Sequence, residues 1–257
     1  PVRINQARLP LGRLNGVFLT HYHSDHIASL PDVNLTSWVQ GRKASLNVYG
    51  PEGIERVING FNEAYALDRQ YRTEHHGEAL LPVAAGPMRA QSIEVGTVVW
   101  QDDLLSIRSF AVDHAPVAPA VGYRIDYKGR SVVISGDTLA TDSLFAAAQG
   151  ADLLLHDALS RKMLERMIKV AKAQEVPVIP QIMQDVMDYH ADSLSLEAQA
   201  KAAGVRQLAY YHLVPVPPND LAQKLFVRGL ESSTLLVSDL QTFDLSPDSD
   251  RIDIYTP

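Results

Sequence analysis

Apolar and polar positions fall into blocks of two lengths along this chain. Short runs such as Gly16-Val17-Phe18-Leu19-Thr20 and Asp152-Leu153-Leu154-Leu155-His156 have the length and continuity of buried strands. Longer stretches repeat apolar residues every three or four positions. Glu52 to Leu67 sets Ile54, Val57, Ile58, Phe61 and Tyr65 at helical spacing, and Met163, Leu164, Met167, Ile168 and Ala171 repeat the pattern. Pro31 to Gln40 predicts a helix with proline in its first turn, and Ser45 to Tyr49 a strand closed by Gly50-Pro51. Residues Gln91 to Val112 are rich in β-branched side chains. Gly122 to Tyr127 and Ser131 to Ser135 flank Lys128-Gly129-Arg130 as the arms of a hairpin. Pro1 to Leu14 is a polar approach segment, and Tyr71 to Gly77 a solvent-exposed loop.

Beyond Gly136-Asp137-Thr138 the pattern alternates between strand and helix. Leu144, Phe145 and Ala148 mark a short helix, and Ser193 to Ala203 a longer one, capped by Asp192 or Ser193 and stopped by Gly204. Arg206 to His212 is a strand, Asp220 to Phe226 a helix, and Thr234 to Leu245 closes the sheet. Long β stretches followed by a βαβα order predict an α/β layered fold, with two sheets covered by helices. At 257 residues and without repeats, the chain fits a single domain.

Composition removes several alternatives. With 46% hydrophobic and 21% charged residues the chain can offset its ordering entropy, so disorder is excluded. There is no cysteine, which excludes a disulfide scaffold, a thiolate metal site and a cysteine nucleophile. No apolar run approaches the roughly 18 residues of a membrane span. A net charge of −7 argues against a general nucleic-acid binder, leaving room only for a local basic patch. The chain opens on proline with no signal-peptide pattern, so it is expected to begin inside a domain. A soluble protein of cytoplasm or periplasm fits equally well.

The densest chemistry is His21-Tyr22-His23-Ser24-Asp25-His26, four metal-ligand side chains in six residues directly after a buried strand. In an extended segment, residues two apart point the same way, so His21 and His23 can share one ion. Asp25 and His26 follow as the chain turns toward a helix and can face a second. Nitrogen and carboxylate donors without thiolate suit Zn²⁺, with Mn²⁺ or Fe as substitutes.

This stretch resembles the hallmark His-x-His-x-Asp-His of the metallo-β-lactamase superfamily. The resemblance spans roughly Val17 to Leu213 and implies an αββα sandwich of two mixed sheets flanked by helices, whose first strands precede the hallmark. It also implies three further ligands at later strand ends: His114 in Val112-Asp113-His114, Asp137 in Ser135-Gly136-Asp137-Thr138, and His212 in Tyr210-Tyr211-His212. His21, His23 and His114 are then expected to hold one ion, Asp25, His26 and His212 the other, with Asp137 bridging. Two ions about 3.5–4 Å apart ionise water near neutral pH and clamp the oxygen that gains charge. Asp25 is placed to orient that hydroxide as well as to ligate.

Within the superfamily, Tyr189-His190-Ala191-Asp192-Ser193 resembles the His-Ser/Thr element of the ribonuclease Z and arylsulfatase-like branch, with Ala191 in place of Ser or Thr. That likeness implies His190 as a general acid near the leaving group. Leu155-His156-Asp157-Ala158 resembles the branch's His-Glu segment, with Asp for Glu, and implies side chains that orient the ligands. The expectation is a dinuclear-zinc hydrolase of a small phosphodiester or sulfate ester. A lactonase or β-lactam hydrolase on the same metals is the alternative, and a metal-binding sensor the non-enzymatic one. The expected partner is a small-molecule ester. tRNA is disfavoured, because only 22 residues separate His114 from Asp137, too few for a substrate-binding arm, and because the chain is acidic. No membrane is expected; oligomeric state is open, a homodimer included.

Overall fold

The structure is a computed structural model and describes residues 1–174 and 178–256. The chain divides into two compact units, Pro1–Glu94 and Val95–Pro257.

The first unit opens with α1 (Val2–Gln6), which buries none of its side chains, so the segment expected to be irregular holds one short helix. Then come β1 (Gly16–Phe18), α2 (Ser24–Ile27), α3 (Leu30–Val39), β2 (Leu46–Gly50), α4 (Ile54–Ala64), α5 (Ala66–His76) and β3 (Met88–Ser92). The three strands form a parallel sheet in the order β1-β2-β3, with Val17 opposite Val48 and Val48 opposite Ala90. Leu19, Leu46, Val48, Met88 and the Ile54–Ile58 face of α4 make its core. Removing such side chains from water contributes roughly 1.5–3 kcal/mol each, which holds the sheet and α4 together. Leu19 N–H still donates to Tyr49 O at 2.8 Å, so His21 leaves the sheet two residues past its last backbone tie.

The helix expected from Glu52 to Leu67 ends early, at Ala64, and α5 replaces the expected loop. Its polar sequence is that of a solvated helix rather than of a turn. Asp68 pairs with Arg72 at 2.8 Å and Gln70 donates to Glu74 at 2.7 Å, both one turn apart. His75 and His76 therefore lie in an exposed last helical turn.

The second unit comprises β4 (Val98–Gln101), β5 (Leu105–Ala111), β6 (Val121–Tyr127), β7 (Arg130–Ile134), α6 (Asp142–Ala147), β8 (Leu153–Leu159), α7 (Arg161–Ala173), α8 (Val178–Asp185), α9 (Ser193–Ala202), β9 (Gln207–Val214), α10 (Asp220–Phe226), β10 (Leu235–Leu236), β11 (Thr242–Asp244) and β12 (Asp253–Tyr255). Seven strands form one mixed sheet in the order β10-β9-β8-β7-β6-β5-β4, antiparallel from β4 to β7 and parallel from β7 to β10. The β6–β7 turn uses Lys128 and Gly129 at φ +47° and +79°, the left-handed pair that matches strand twist. Val133, Leu144, Leu154, Leu196, Tyr210 and Phe226 make the main core, so α6, α9 and α10 pack on this sheet. Only Leu235–Leu236 of the expected closing stretch joins it; β11 pairs with β12 instead.

This topology decides where chemistry can gather. β5 and β7 run the same way because each is antiparallel to β6, and β8 and β9 are parallel to β7. All four therefore end at one edge of the sheet, the edge where open α/β sheets place their ligands.

Candidate metal centre

In the first unit, His23 is extended (φ −61°, ψ 149°) before α2 begins. That geometry carries His21 and His23 to one side, and His21 Nε2 lies 3.2 Å from His23 Nδ1. His21 is fully buried, with Nδ1 3.1 Å from Thr20 Oγ1. The first turn of α2 then presents Asp25 and His26, with Oδ2 and Nε2 3.3 Å apart, and the His26 ring centroid lies 4.1 Å from that of His21.

In the second unit, His114, Asp137, Asp157 and His212 come from the common edge of β5, β7, β8 and β9. The loops after β5 and β7 are tied together: Asp113 N–H donates to Thr138 Oγ1 at 3.0 Å, and Leu139 N–H to Asp113 O at 2.9 Å. His114 is buried and its Nδ1 donates to Tyr189 O at 3.0 Å, which leaves Nε2 as the outward donor atom. That Nε2 lies 4.0 Å from Asp137 Oδ2, and His212 Nε2 lies 3.4 Å from the same oxygen.

His212 reaches Asp137 through an irregularity in β9. Asp157 pairs with Tyr211 and Ala158 with Leu213, so His212 is the extra residue of a bulge, at φ +44°. A bulge re-aims one side chain without ending the strand. Tyr211 beside it is a residue the sequence expectation passed over. Burial, with the Asp157 and Asp137 charges adding, pushes its phenol well above its ordinary value, so it stays protonated.

Asp157 is fully buried and is used twice. Its Oδ2 accepts from His190 Nδ1 at 2.8 Å, and its Oδ1 accepts the Thr138 N–H, next to Asp137, at 3.2 Å. His190, 6% exposed, stacks on His212 with ring centroids 5.5 Å apart and planes 15° apart, and lies 5.3 Å from the His114 ring. His156 donates Nδ1–H to the Asp157 carbonyl at 2.7 Å.

The donor geometry fits divalent ions. Two donors each about 2.0–2.1 Å from a tetrahedral ion stand roughly 3.3 Å apart. The pairs His21–His23, Asp25–His26 and Asp137–His212 stand 3.2, 3.3 and 3.4 Å apart. Imidazole and carboxylate donors without sulfur suit Zn²⁺, Mn²⁺ or Fe.

The chain belongs to the β-lactamase superfamily, whose domain pattern it matches over residues 1–212. It is a hydrolase of that superfamily, with the metallo-β-lactamase fold and the divalent-metal dependence the fold implies. Ribonuclease Z of Mycobacterium bovis strain BCG is 37% identical over 205 residues, which cover 79% of this chain and 68% of that protein. Ribonuclease Z of Mycobacterium marinum is 36% identical over the same shares. Solved structures share the fold, among them the following two. Human tRNase Z, short form, has a TM-score of 0.56 at 21% identity, over 82% of this chain and 76% of that one. The metallo-β-lactamase fold protein YhfI from Bacillus subtilis has 0.59 at 18%, over 90% and 78%.

These relatives correct the expected partner. A small-molecule ester with tRNA disfavoured does not stand against relatives at 36–37% identity that are named for RNA cleavage. Net charge misled because it sums the whole surface, whereas phosphate contacts need only a local patch. The helix α7 alone carries Arg161, Lys162, Arg166, Lys169 and Lys172 against Glu165. Among the described residues no helix is long and apolar enough to cross a membrane.

Proposed function

We propose that this protein is a two-metal phosphodiesterase that cleaves RNA, tRNA precursors included, and that both units contribute to one catalytic domain. His21, His23 and His114 would hold one ion and Asp25, His26 and His212 the other, with Asp137 between them. Zn²⁺ is the ion of choice, with Mn²⁺ or Fe as substitutes. Bound there, the ions supply Lewis acidity toward the phosphoryl oxygens and lower the pKa of water.

The observation that carries the proposal is the Asp157–His190 hydrogen bond beside His212. With Nδ1 committed to Asp157, His190 keeps Nε2 as the atom that delivers a proton. Cleaving an RNA phosphodiester expels a ribose oxygen, a poor leaving group that needs a proton as the P–O bond breaks. An activated aryl ester or a sulfate monoester of a phenol has far less use for one. Asp25, more exposed than His21, orients the attacking water, and the neutral Tyr211 phenol keeps a hydrogen-bond donor beside Asp157 and Asp137.

The test is cleavage of a tRNA precursor with a 3′ extension by the zinc-loaded protein, with bis(4-nitrophenyl) phosphate as a small surrogate. Endonucleolytic cleavage of the precursor that a chelator abolishes supports the proposal. Surrogate turnover with no cleavage of any RNA overturns it.

A further inference from the structure

Beyond the catalytic side chains, the second unit contains a cavity of about 540 Å³ whose lining includes Arg161, Lys162, Arg166 and Arg228. We infer that this cavity is a subsite for the phosphate backbone of the RNA substrate, set apart from the scissile bond; the inference rests on the RNA-cleaving function proposed above.

Three observations point the same way. First, the cations are concentrated against the trend of the molecule. The chain as a whole carries −7, yet this cavity gathers four cationic side chains against two acids, Glu165 and Asp192. Second, most of that positive charge is uncommitted. Asp192 is occupied: it caps α9 by accepting the Leu194 N–H at 3.2 Å and pairs with Arg161 at 3.7 Å. Among the described residues Lys162, Arg166 and Arg228 make no ion pair, and all three are exposed. Lys162 and Arg166 stand one helical turn apart on the same face of α7 and Lys169 continues that face, so the charge forms a stripe leading out of the cavity.

Third, the cavity's lining adjoins the segments that carry the catalytic edge. Asp192 lies two residues beyond His190, and Leu159, at the end of the strand that carries Asp157, bridges to Asp192. An RNA strand whose reacting phosphate sits at His190 therefore has cations waiting along its flanking backbone. Guanidinium and ammonium groups bind phosphate oxygens without reading bases, so the subsite grips any sequence and sets affinity rather than cleavage chemistry.

The test uses the full chain with zinc and compares wild type with the triple variant Lys162→Gln, Arg166→Gln, Arg228→Gln. All three side chains are exposed, and the substitutions remove the charge while keeping a polar side chain. Turnover of bis(4-nitrophenyl) phosphate should be unchanged, because that ester is too small to reach the cavity. For the tRNA precursor, KM should rise about tenfold or more at fixed salt, while kcat is kept. The plot of log affinity against log salt should become shallower by about 2, three contacts at roughly 0.7 each. If wild type and variant cleave the precursor with the same KM and salt slope, the subsite is wrong and the RNA function stands. If the wild type neither binds nor cleaves RNA, both fall. Reversing Arg166 and Arg228 to Glu should deepen the KM effect, and an unchanged KM in that variant also rejects the subsite.

Discussion

Asp157 Oδ2 lies 2.8 Å from His190 Nδ1, and that one bond joins β8 to the turn ahead of α9. The other oxygen of the same carboxylate accepts the Thr138 N–H, so a single buried side chain positions both His190 and the loop of Asp137. Asp157→Asn keeps the volume and one acceptor, but presents an amide N–H₂ or a weaker acceptor to His190. The proton can then move to the wrong ring nitrogen. A loss of about 10–100-fold in kcat on RNA is expected, with KM and melting temperature nearly unchanged. Steady-state kinetics with metal analysis check this, and wild-type kcat in a folded, metal-loaded variant would reduce Asp157 to a packing residue.

Asp137 is buried, with the same Oδ2 4.0 Å from His114 Nε2 and 3.4 Å from His212 Nε2, and is the carboxylate proposed to bridge the ions. Removing it in Asp137→Ala leaves two cations facing each other with no anion between them. Metal content should fall well below two equivalents, and turnover with it. The melting temperature of the wild type should rise with added zinc through mass action on the native state, and that rise should be much smaller in the variant. A variant holding two equivalents and turning over normally would remove Asp137 as the bridge.

A different carboxylate controls stability. Asp152 Oδ2 lies 3.1 Å from Arg130 Nε and accepts the Ser131 N–H at 2.8 Å, and both side chains of the ion pair are 7% exposed. Burial alone would raise its pKa. The hydrogen bonds from Arg130 and Ser131, with the Arg130 and Arg206 charges, outweigh burial and hold it below the ordinary carboxylate value. A carboxylate depressed in the folded state contributes stability above its unfolded pKa, near 3.9, and loses that contribution as pH falls through the folded value. Asp152→Asn should therefore cost about 3 kcal/mol at pH 7, because Arg130 is left buried without its counter-charge. Urea unfolding measures it. The gap between wild type and variant should narrow as pH drops below about 4, and a gap that is constant down to pH 2 would rule out this charge-based account.

The legible part of the sequence was local. His21 to His26 could be placed because a spacing of two in an extended segment has one geometric consequence, and the strand before it was marked by its own apolar run. The hairpin at Lys128-Gly129 and the cap at Asp192 were equally local, each a matter of one side chain or one φ angle. What escaped was weakly marked locally or depends on partners distant in sequence. α5 shows no apolar face strong enough to declare itself, and its Asp68–Arg72 pair becomes visible only once a helix is assumed. The second use of Asp157 needs Thr138, 19 residues away, and the bulge that re-aims His212 is a property of β8 and β9 together. The substrate was misjudged for a related reason: a summed charge of −7 hides where the cations of α7 stand.

His190 offers the sharpest separation of chemical from structural roles. Its Nδ1 is held by Asp157, its ring stacks on His212, and it is 6% exposed, so replacing it with alanine removes both a proton donor and a packed ring. A purely structural role would slow every substrate alike. A proton-donating role makes the deficit depend on the group that leaves. Turnover of a tRNA precursor, which expels a ribose oxygen, should fall roughly 10²–10⁴-fold in His190→Ala, the usual size of general acid catalysis. Phosphodiesters with nitrophenolate leave unaided and should lose little, and alkyl or unsubstituted phenyl esters should fall between. The measurement is the ratio of wild-type to variant kcat across such esters, ordered by leaving-group pKa, with both proteins shown to hold the same metal content. A rising ratio identifies His190 as the acid. A flat ratio, whether near one or uniformly large, would leave the leaving oxygen without a protein donor at this position and would withdraw the argument that ties this site to poor leaving groups such as those of RNA.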